Sequence, residues 1–311
     1  MGYIQDKVAK KQKRIRFNGI FYAIISSASF GFSPLFSIAL MVAGLSHFDI
    51  LTYRWGIAAF VLMIYAAIRG KTLKLSSFDE VWKIVLLSAL RAVTSITLLI
   101  GYANIASGIA STINFMYPVV VALCMMLFYG EKKSAANIIS IAMSIFGVYL
   151  LAHGDGLIVE GGDTTLGLVC SIISAFSFAA YYIVMKRTKA DKIEVVKFTT
   201  WIMLLSAVYF LIGGLVTEGG ISLVTDSRSW LYILGLGLWS TMVSSFTGVK
   251  AIRRIGPTLT SILGALQPLT AVILGVIFLD EHLGVKTVLG IALILVAVTI
   301  VVIHQGKSVK H

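Results

Sequence analysis

Residues 111–131, STINFMYPVVVALCMMLFYGE, and residues 261–281, SILGALQPLTAVILGVIFLDE, align without a gap at a separation of 150. The alignment sets Ser111 on Ser261, Pro118 on Pro268, Phe128 on Phe278 and Glu131 on Glu281, and it runs on to Ile141-Ala142 over Ile291-Ala292. Matches of Ile and Ala arise by chance in an apolar chain. The prolines weigh more, because the chain has only four and two of them take equivalent places. A separation of 148 sets Ile24-Ile25-Ser26 over Ile172-Ile173-Ser174 and Ser29-Phe30 over Ser177-Phe178. The chain therefore reads as one unit written twice.

Composition says what the unit is. Of 311 residues, 58% are hydrophobic and 13% charged, against about 45–50% and about 25% in soluble domains. So few charges cannot cover a water-soluble surface of this size, whereas lipid needs no polar cover. A spanning helix takes roughly 20 mainly apolar residues. Ten such stretches are expected: 18–42, 47–68, 81–104, 109–129, 135–152, 166–185, 195–217, 230–249, 257–279 and 285–303. The first is longer than a signal-peptide core of roughly 7–15 residues and reads as a retained helix.

The formal net charge of +12 could suggest nucleic acid, but its distribution does not. With the amino terminus inside, Lys and Arg gather at 7–16, 69–83, 132–133, 186–197, 250–254 and 307–310, and the outer segments keep only Arg228 and Lys286. Asp155, Glu160, Asp163, Glu218, Asp226, Asp280 and Glu281 fall outside instead. One missed span would reverse every later connection, so the positive-inside bias supports the whole assignment and places both termini in the cytoplasm. Five helices per unit is an odd number, so the second copy must be inverted. The expected architecture is an all-α integral membrane protein of ten transmembrane helices in two inverted five-helix repeats, 18–153 and 165–304. A basic segment, 1–17, precedes them and a tail, 305–311, follows. Inverted repeats are common among secondary transporters, whose substrate sites lie near the midplane between the halves.

These features resemble the drug/metabolite transporter superfamily in its EamA-like branch. The resemblance rests on Leu51-Thr52-Tyr53-Arg54, Ala110 through Asn114, Tyr117-Pro118, Gly130-Glu131, and the second copy from Ser261 through Gln267-Pro268 to Asp280-Glu281 and Gly290. Asp280 and Ser140 stand where that family usually has glycine. The resemblance implies a central cavity lined by helices one, three, four, six, eight and nine, and a cytoplasmic (inner) membrane.

Two charges lie within spans. Arg54, about two turns from the outer end of helix two, can snorkel to the headgroups or meet Asp49. Arg91 stands near the middle of helix three, too deep to snorkel, with no Asp or Glu in any span to pair with it; an intramembrane charge of this kind marks a functional site by default. Its guanidinium suits a carboxylate or phosphate, though helix carbonyls and hydroxyls could also satisfy it. Pro118 and Pro268 deprive the carbonyls of Asn114 and Gly264 of their helical partners, and Asn114, Tyr117 and Gln267 gather on those turns. Ser29, Phe30, Phe32, Ser33 and Pro34 belong to a polar, breakable stretch of helix one, echoed by Ser177, Tyr181 and Tyr182 in helix six, with Trp239 and Ser244 as counterparts in helix eight. Each could equally be packing, since small residues let helices approach closely. Arg54, Pro34, Pro118, Pro268, Glu131 and Glu281 are candidates for structural or gating roles.

No cofactor is expected, because Cys124 and Cys170 lie alone in apolar stretches and no Cys/His cluster has zinc spacing. The five histidines sit at span ends or beyond, which favours export or exchange over a dedicated proton relay. The expected function is transport of an amino acid or related zwitterion or anion by alternating access. A nucleotide-like metabolite or a drug is the alternative cargo. An enzyme would need an acid/base cluster near one interface, and a channel a series of pore charges; neither pattern is present.

Overall fold

The computed structural model describes residues 2–129, 134–154, 159 and 161–308. Thirteen α-helices follow in order: α1 Gly2–Gly31, α2 Ser33–Val42, α3 His47–Ile68, α4 Phe78–Asn104, α5 Ser107–Phe115, α6 Tyr117–Phe128, α7 Ala135–Ala152, α8 Thr164–Arg187, α9 Val195–Thr217, α10 Ser227–Leu234, α11 Ser244–Leu263, α12 Leu266–Phe278 and α13 Val285–Ser308. Among the described residues, nine helical runs are long and apolar enough to cross a membrane, and Leu266–Phe278 is a shorter apolar helix. The ninth expected span is thus shorter than the sequence predicts.

Helix starts follow local chemistry. Ser46 and Asp49 close a reciprocal capping box on α3, and Ser77, Ser134, Asp163, Glu194 and Asp226 accept from backbone N–H groups at the heads of α4, α7, α8, α9 and α10. Helix breaks follow proline. Pro34 separates α1 from α2 at Phe32, and Pro118 separates α5 from α6 at Met116. Ahead of Pro268 the helix breaks at Gly264-Ala265, where the Gly264 carbonyl accepts from Gln267 N–H at 2.9 Å instead of its lost partner.

One expected boundary is absent. The sequence predicts a connection between 249 and 257, yet the backbone is helical from Ser227 to Leu263, through a π-helical segment at Gly235–Val243 and then α11. Lys250 to Arg254 contains no turn former, and Lys, Arg and Ala are good helix residues. The π segment has its own cause. Gly235 lies under the Phe36 ring, where a Cβ would stand 2.9 Å from Cζ, and Thr241 Oγ1 donates to the Leu236 carbonyl, five residues back, at 2.9 Å.

Packing pairs α1 with α11, α4 with α8, α3 with α9, α7 with α13, and α5 with α12. Small residues bring these helices close: Gly147 and Gly290 on α7 and α13 abut each other's carbonyls, and Gly101 of α4 faces Ser171 of α8. Phe21, Phe60, Ile64, Phe146, Ile212, Ile273 and Ile277 remain exposed on the outside, the belt that hydrocarbon would cover.

Two ties join α3 and α9 at opposite ends. At the head of α3, Asp49 Oδ1 accepts from Ser222 N–H at 2.8 Å and Tyr53 Oη donates to the Ser222 carbonyl at 2.9 Å. At the head of α9, Lys197 Nζ lies 3.0 Å from Glu80 and 3.5 Å from the Lys74 carbonyl, and Trp201 Nε1 donates to the Leu73 carbonyl at 2.8 Å. Lys197 and Glu80 are largely withdrawn from solvent, with side chains 10% and 21% exposed. Replacing Lys197 with Met should therefore lower stability by about 2 kcal/mol, between exposed and fully buried ion pairs. Denaturation of the purified variant in detergent measures this, and the double change with Glu80→Gln should recover part of the loss.

Candidate functional site

Arg91, in the middle of α4, is ringed by aromatic side chains. Its guanidinium carbon lies 4.5 Å from the Phe178 centroid, 5.5 Å from that of Trp55 and 5.9 Å from that of Tyr181. Phe178, Tyr181 and Tyr182 occur three and four residues apart, so α8 turns one aromatic face towards α4. The break at Met116 makes Tyr117 the first residue of α6, and its ring lies 5.0 Å from that of Tyr182, nearly parallel, and 4.7 Å from Phe178. Each cation–π contact contributes about 0.5–2 kcal/mol and none neutralises the charge. Among the described residues, no protein group accepts a hydrogen bond from the Arg91 side chain and none forms an ion pair with it. Five N–H donors therefore stand ready for an acceptor from outside the protein.

Arg54 does not snorkel and does not meet Asp49. It is 6% exposed and turned inward. Its Nε donates to Thr241 Oγ1 at 2.9 Å, and its guanidinium carbon lies 5.6 Å from the Trp55 ring and 5.5 Å from Phe30. Asp49 is occupied elsewhere, with Oδ2 accepting from Ser46 N–H and Oδ1 from Ser222 N–H. The π segment presents Thr241 at the depth of Arg54, and Trp55 stands between the two arginines in the sense that both lie against its one indole.

The other candidates divide by place. Beside the aromatic group, Ser177 Oγ donates to the Leu90 carbonyl at 2.8 Å, one residue before Arg91, and buried Asn114 donates to Ser174 Oγ at 3.0 Å. Ser29 hydrogen-bonds within its own helix to the Ile25 carbonyl, Phe32 stacks on Phe36, and Pro34 is buried. Ser33 Oγ is buried without a hydrogen-bond partner among the described residues. Ser244 is buried and its carbonyl accepts from Ser26 Oγ at 2.7 Å. The backbone carbonyl of Gln267 lies where a Cβ on Gly31 would be 2.8 Å away, and Pro268 is buried in α12. Trp239 is displaced from the expectation: it is 47% exposed, on the outer side of the π segment, because the wide turn rotates it away from Ser240 and Thr241, which are buried. Glu131 lies outside the described residues.

Glu281 has a defined partner. Its carboxylate accepts from Ser107 N–H at 2.6 Å and Gly108 N–H at 3.3 Å, at the head of α5, where negative charge is favoured. Glu281→Gln should cost about 1 kcal/mol by removing that charge from a helix start, read as a lowered melting temperature.

Trp55 and Thr241 are site residues that the sequence does not single out. Trp55 has a signal in its position directly after Arg54; Thr241 has none, because its reach depends on the π segment. Two surface grooves lie elsewhere. One, of about 550 Å³ and apolar, runs between α6 and α8 beside Cys124 and Phe176. The other, of about 280 Å³, is lined by Lys71, Glu194, Thr199 and Lys250. There, burial raises the Glu194 carboxyl, but the Lys197 N–H and the Lys71 ammonium outweigh it and hold the group below the usual carboxylate range. Among the described residues no His, Cys, Asp and Glu group could hold a metal ion.

Known proteins share this sequence and fold. A WAT1-related protein of Arabidopsis thaliana is 24% identical over 92% of this chain and 84% of its own. A probable amino-acid metabolite efflux pump of Escherichia coli is 25% identical over 58% of this chain and 63% of its own. A solved crystal structure superposes with a TM-score of 0.64 at 14% identity, over 95% of this chain and 98% of its own, a likeness of fold alone. The sequence profile of the EamA-like transporter family matches twice, at residues 17–152 and 165–303, and the chain, a multi-pass membrane protein, belongs to that family.

Proposed function

We infer that the protein carries a small polar metabolite, an amino acid or a related zwitterion or anion, across the cytoplasmic membrane by alternating access, as an exporter or exchanger with both termini inside. The observation that carries this reading is Arg91, a mid-span guanidinium with an aromatic surround and no protein acceptor among the described residues. An anionic group of the cargo is the natural partner for such a charge. The name of the Escherichia coli relative, a probable amino-acid metabolite efflux pump, agrees with this cargo.

Alternating access by inverted halves draws support from the ties at the two ends of α3 and α9. A separation of 148 maps Asp49 onto Lys197, Tyr53 onto Trp201 and Lys74 onto Ser222. The same three positions make the same kind of contact at opposite ends of one helix pair, an acid in one copy and a base in the other. An inverted two-fold relation between repeats 18–153 and 165–304 accounts for that equivalence. The pairings of α1 with α11 and of α8 with α4 exchange under the same operation.

The test is a thermal-shift screen of purified protein against amino acids, organic acids and nucleotides. A cargo that binds the folded state raises the melting temperature by mass action. An anionic or zwitterionic ligand whose shift is lost in Arg91→Gln supports the reading, and a best ligand whose shift survives that change refutes the role of Arg91.

A further inference from the structure

We propose that the carried solute has two anionic groups, one met by Arg91 and the other by Arg54, as in a dicarboxylate or an acidic amino acid; this rests on the carrier reading above and narrows its cargo. Both guanidinium groups lie against the indole of Trp55, at 5.5 and 5.6 Å, so the two charges stand within twice that distance of each other. Two like charges at this separation, inside a fold surrounded by hydrocarbon, repel one another and have both lost much of their hydration.

The protein does not compensate them. Asp49 is taken by the N–H groups of Ser46 and Ser222, and Glu281 by those of Ser107 and Gly108. Asp79 pairs with Lys83, and Glu80 with Lys197. Among the described residues no carboxylate forms an ion pair with either arginine. Arg54 has one hydrogen bond, to Thr241, although it is more than nine-tenths buried, and Arg91 has none from its side chain. Aromatic faces hold a cation but leave its charge in place.

A zwitterion with a single carboxylate would leave the net charge of the pair unchanged. A solute with two carboxylates removes it, and each carboxylate matches a guanidinium fork. In a four- or five-carbon diacid the two carboxyl carbons lie roughly 5 Å apart at ordinary bond lengths, a span that fits between two guanidinium groups flanking one indole. Trp55, Phe178 and Tyr181 then face the hydrocarbon link between the charges.

The experiment compares two matched pairs by thermal shift: succinate with succinamate, and glutamate with glutamine. Within each pair an amide replaces one carboxylate at almost constant shape. The acid is expected to bind roughly tenfold or more tightly than its amide, with the margin lost in Arg54→Gln and partly kept in Arg54→Lys. Should Arg54→Gln fail to fold, the wild-type pairs together with Arg91→Gln, which must shrink the same margin, decide the matter. Equal binding within the pairs, tighter binding of the amides, or no binding by either acid overturns the proposal, and the first two leave the carrier reading intact. Tight binding of the acids without their movement into proteoliposomes would instead remove the carrier reading and leave the two-anion site standing.

Discussion

Arg91→Gln should abolish transport, by about a hundredfold or more, while the purified protein stays folded and as stable as the wild type. The two halves of this expectation have separate causes. A charge-assisted, bidentate contact to a carboxylate in a water-poor site is worth about 3 kcal/mol, and glutamine cannot reproduce the fork or the charge. Stability, by contrast, gains nothing from a guanidinium without a protein acceptor, since removing an uncompensated charge from membrane depth is neutral or favourable. A purely structural arginine would behave the other way, with stability falling first. Arg91→Lys should lie between, keeping the charge and losing the planar stack on Phe178, 4.5 Å away. Uptake into proteoliposomes and a denaturation curve on the same preparations read the two quantities.

The second large effect concerns the joint between the carboxy-terminal helices of the two copies. A Cβ at Gly147 would lie 2.7 Å from Ile294 Cγ1 and 3.1 Å from the Gly290 carbonyl, and one at Gly290 would lie 2.8 Å from the Gly147 carbonyl. These backbones touch, so a branched side chain at either place must push α7 and α13 apart. Gly147→Val should cost about 3 kcal/mol, the upper end for overpacking, because a carbonyl cannot move aside as a flexible side chain can. Gly56→Ala is the control, since nothing lies within 4 Å of its added Cβ. A melting temperature for Gly147→Val equal to that of Gly56→Ala would contradict the packing described for this joint.

Which of these features the sequence discloses depends on the physics behind each. Apolar runs and one-sided loop charge are set by the bilayer itself, so the spans and the family are legible in the order of residues alone. The breaks at Phe32 and Met116 are legible because proline removes a donor wherever it stands. Facing is harder to read. In a membrane helix both the lipid side and the core side are apolar, so periodicity does not tell which way Trp239 or Arg54 points. Trp239 turns outward and Arg54 inward because the π segment, which has no sequence signature of its own, rotates one and supplies Thr241 to the other. The helix through 250–263 is hidden for a related reason: Gly256-Pro257 reads as a turn, whereas Lys250 to Arg254 before it is good helix sequence. The aromatic group around Arg91 is partly visible in the spacing of Tyr181 and Tyr182, but Trp55 enters only when α3 is packed against α4.

The most direct test is counterflow in proteoliposomes. Vesicles preloaded with an unlabelled solute identified by thermal shift should take up the labelled solute faster than empty vesicles, and the acceleration should vanish in Arg91→Gln. Uptake indifferent to preloading, or accelerated equally in the wild type and Arg91→Gln, would contradict an alternating-access carrier with its site at Arg91.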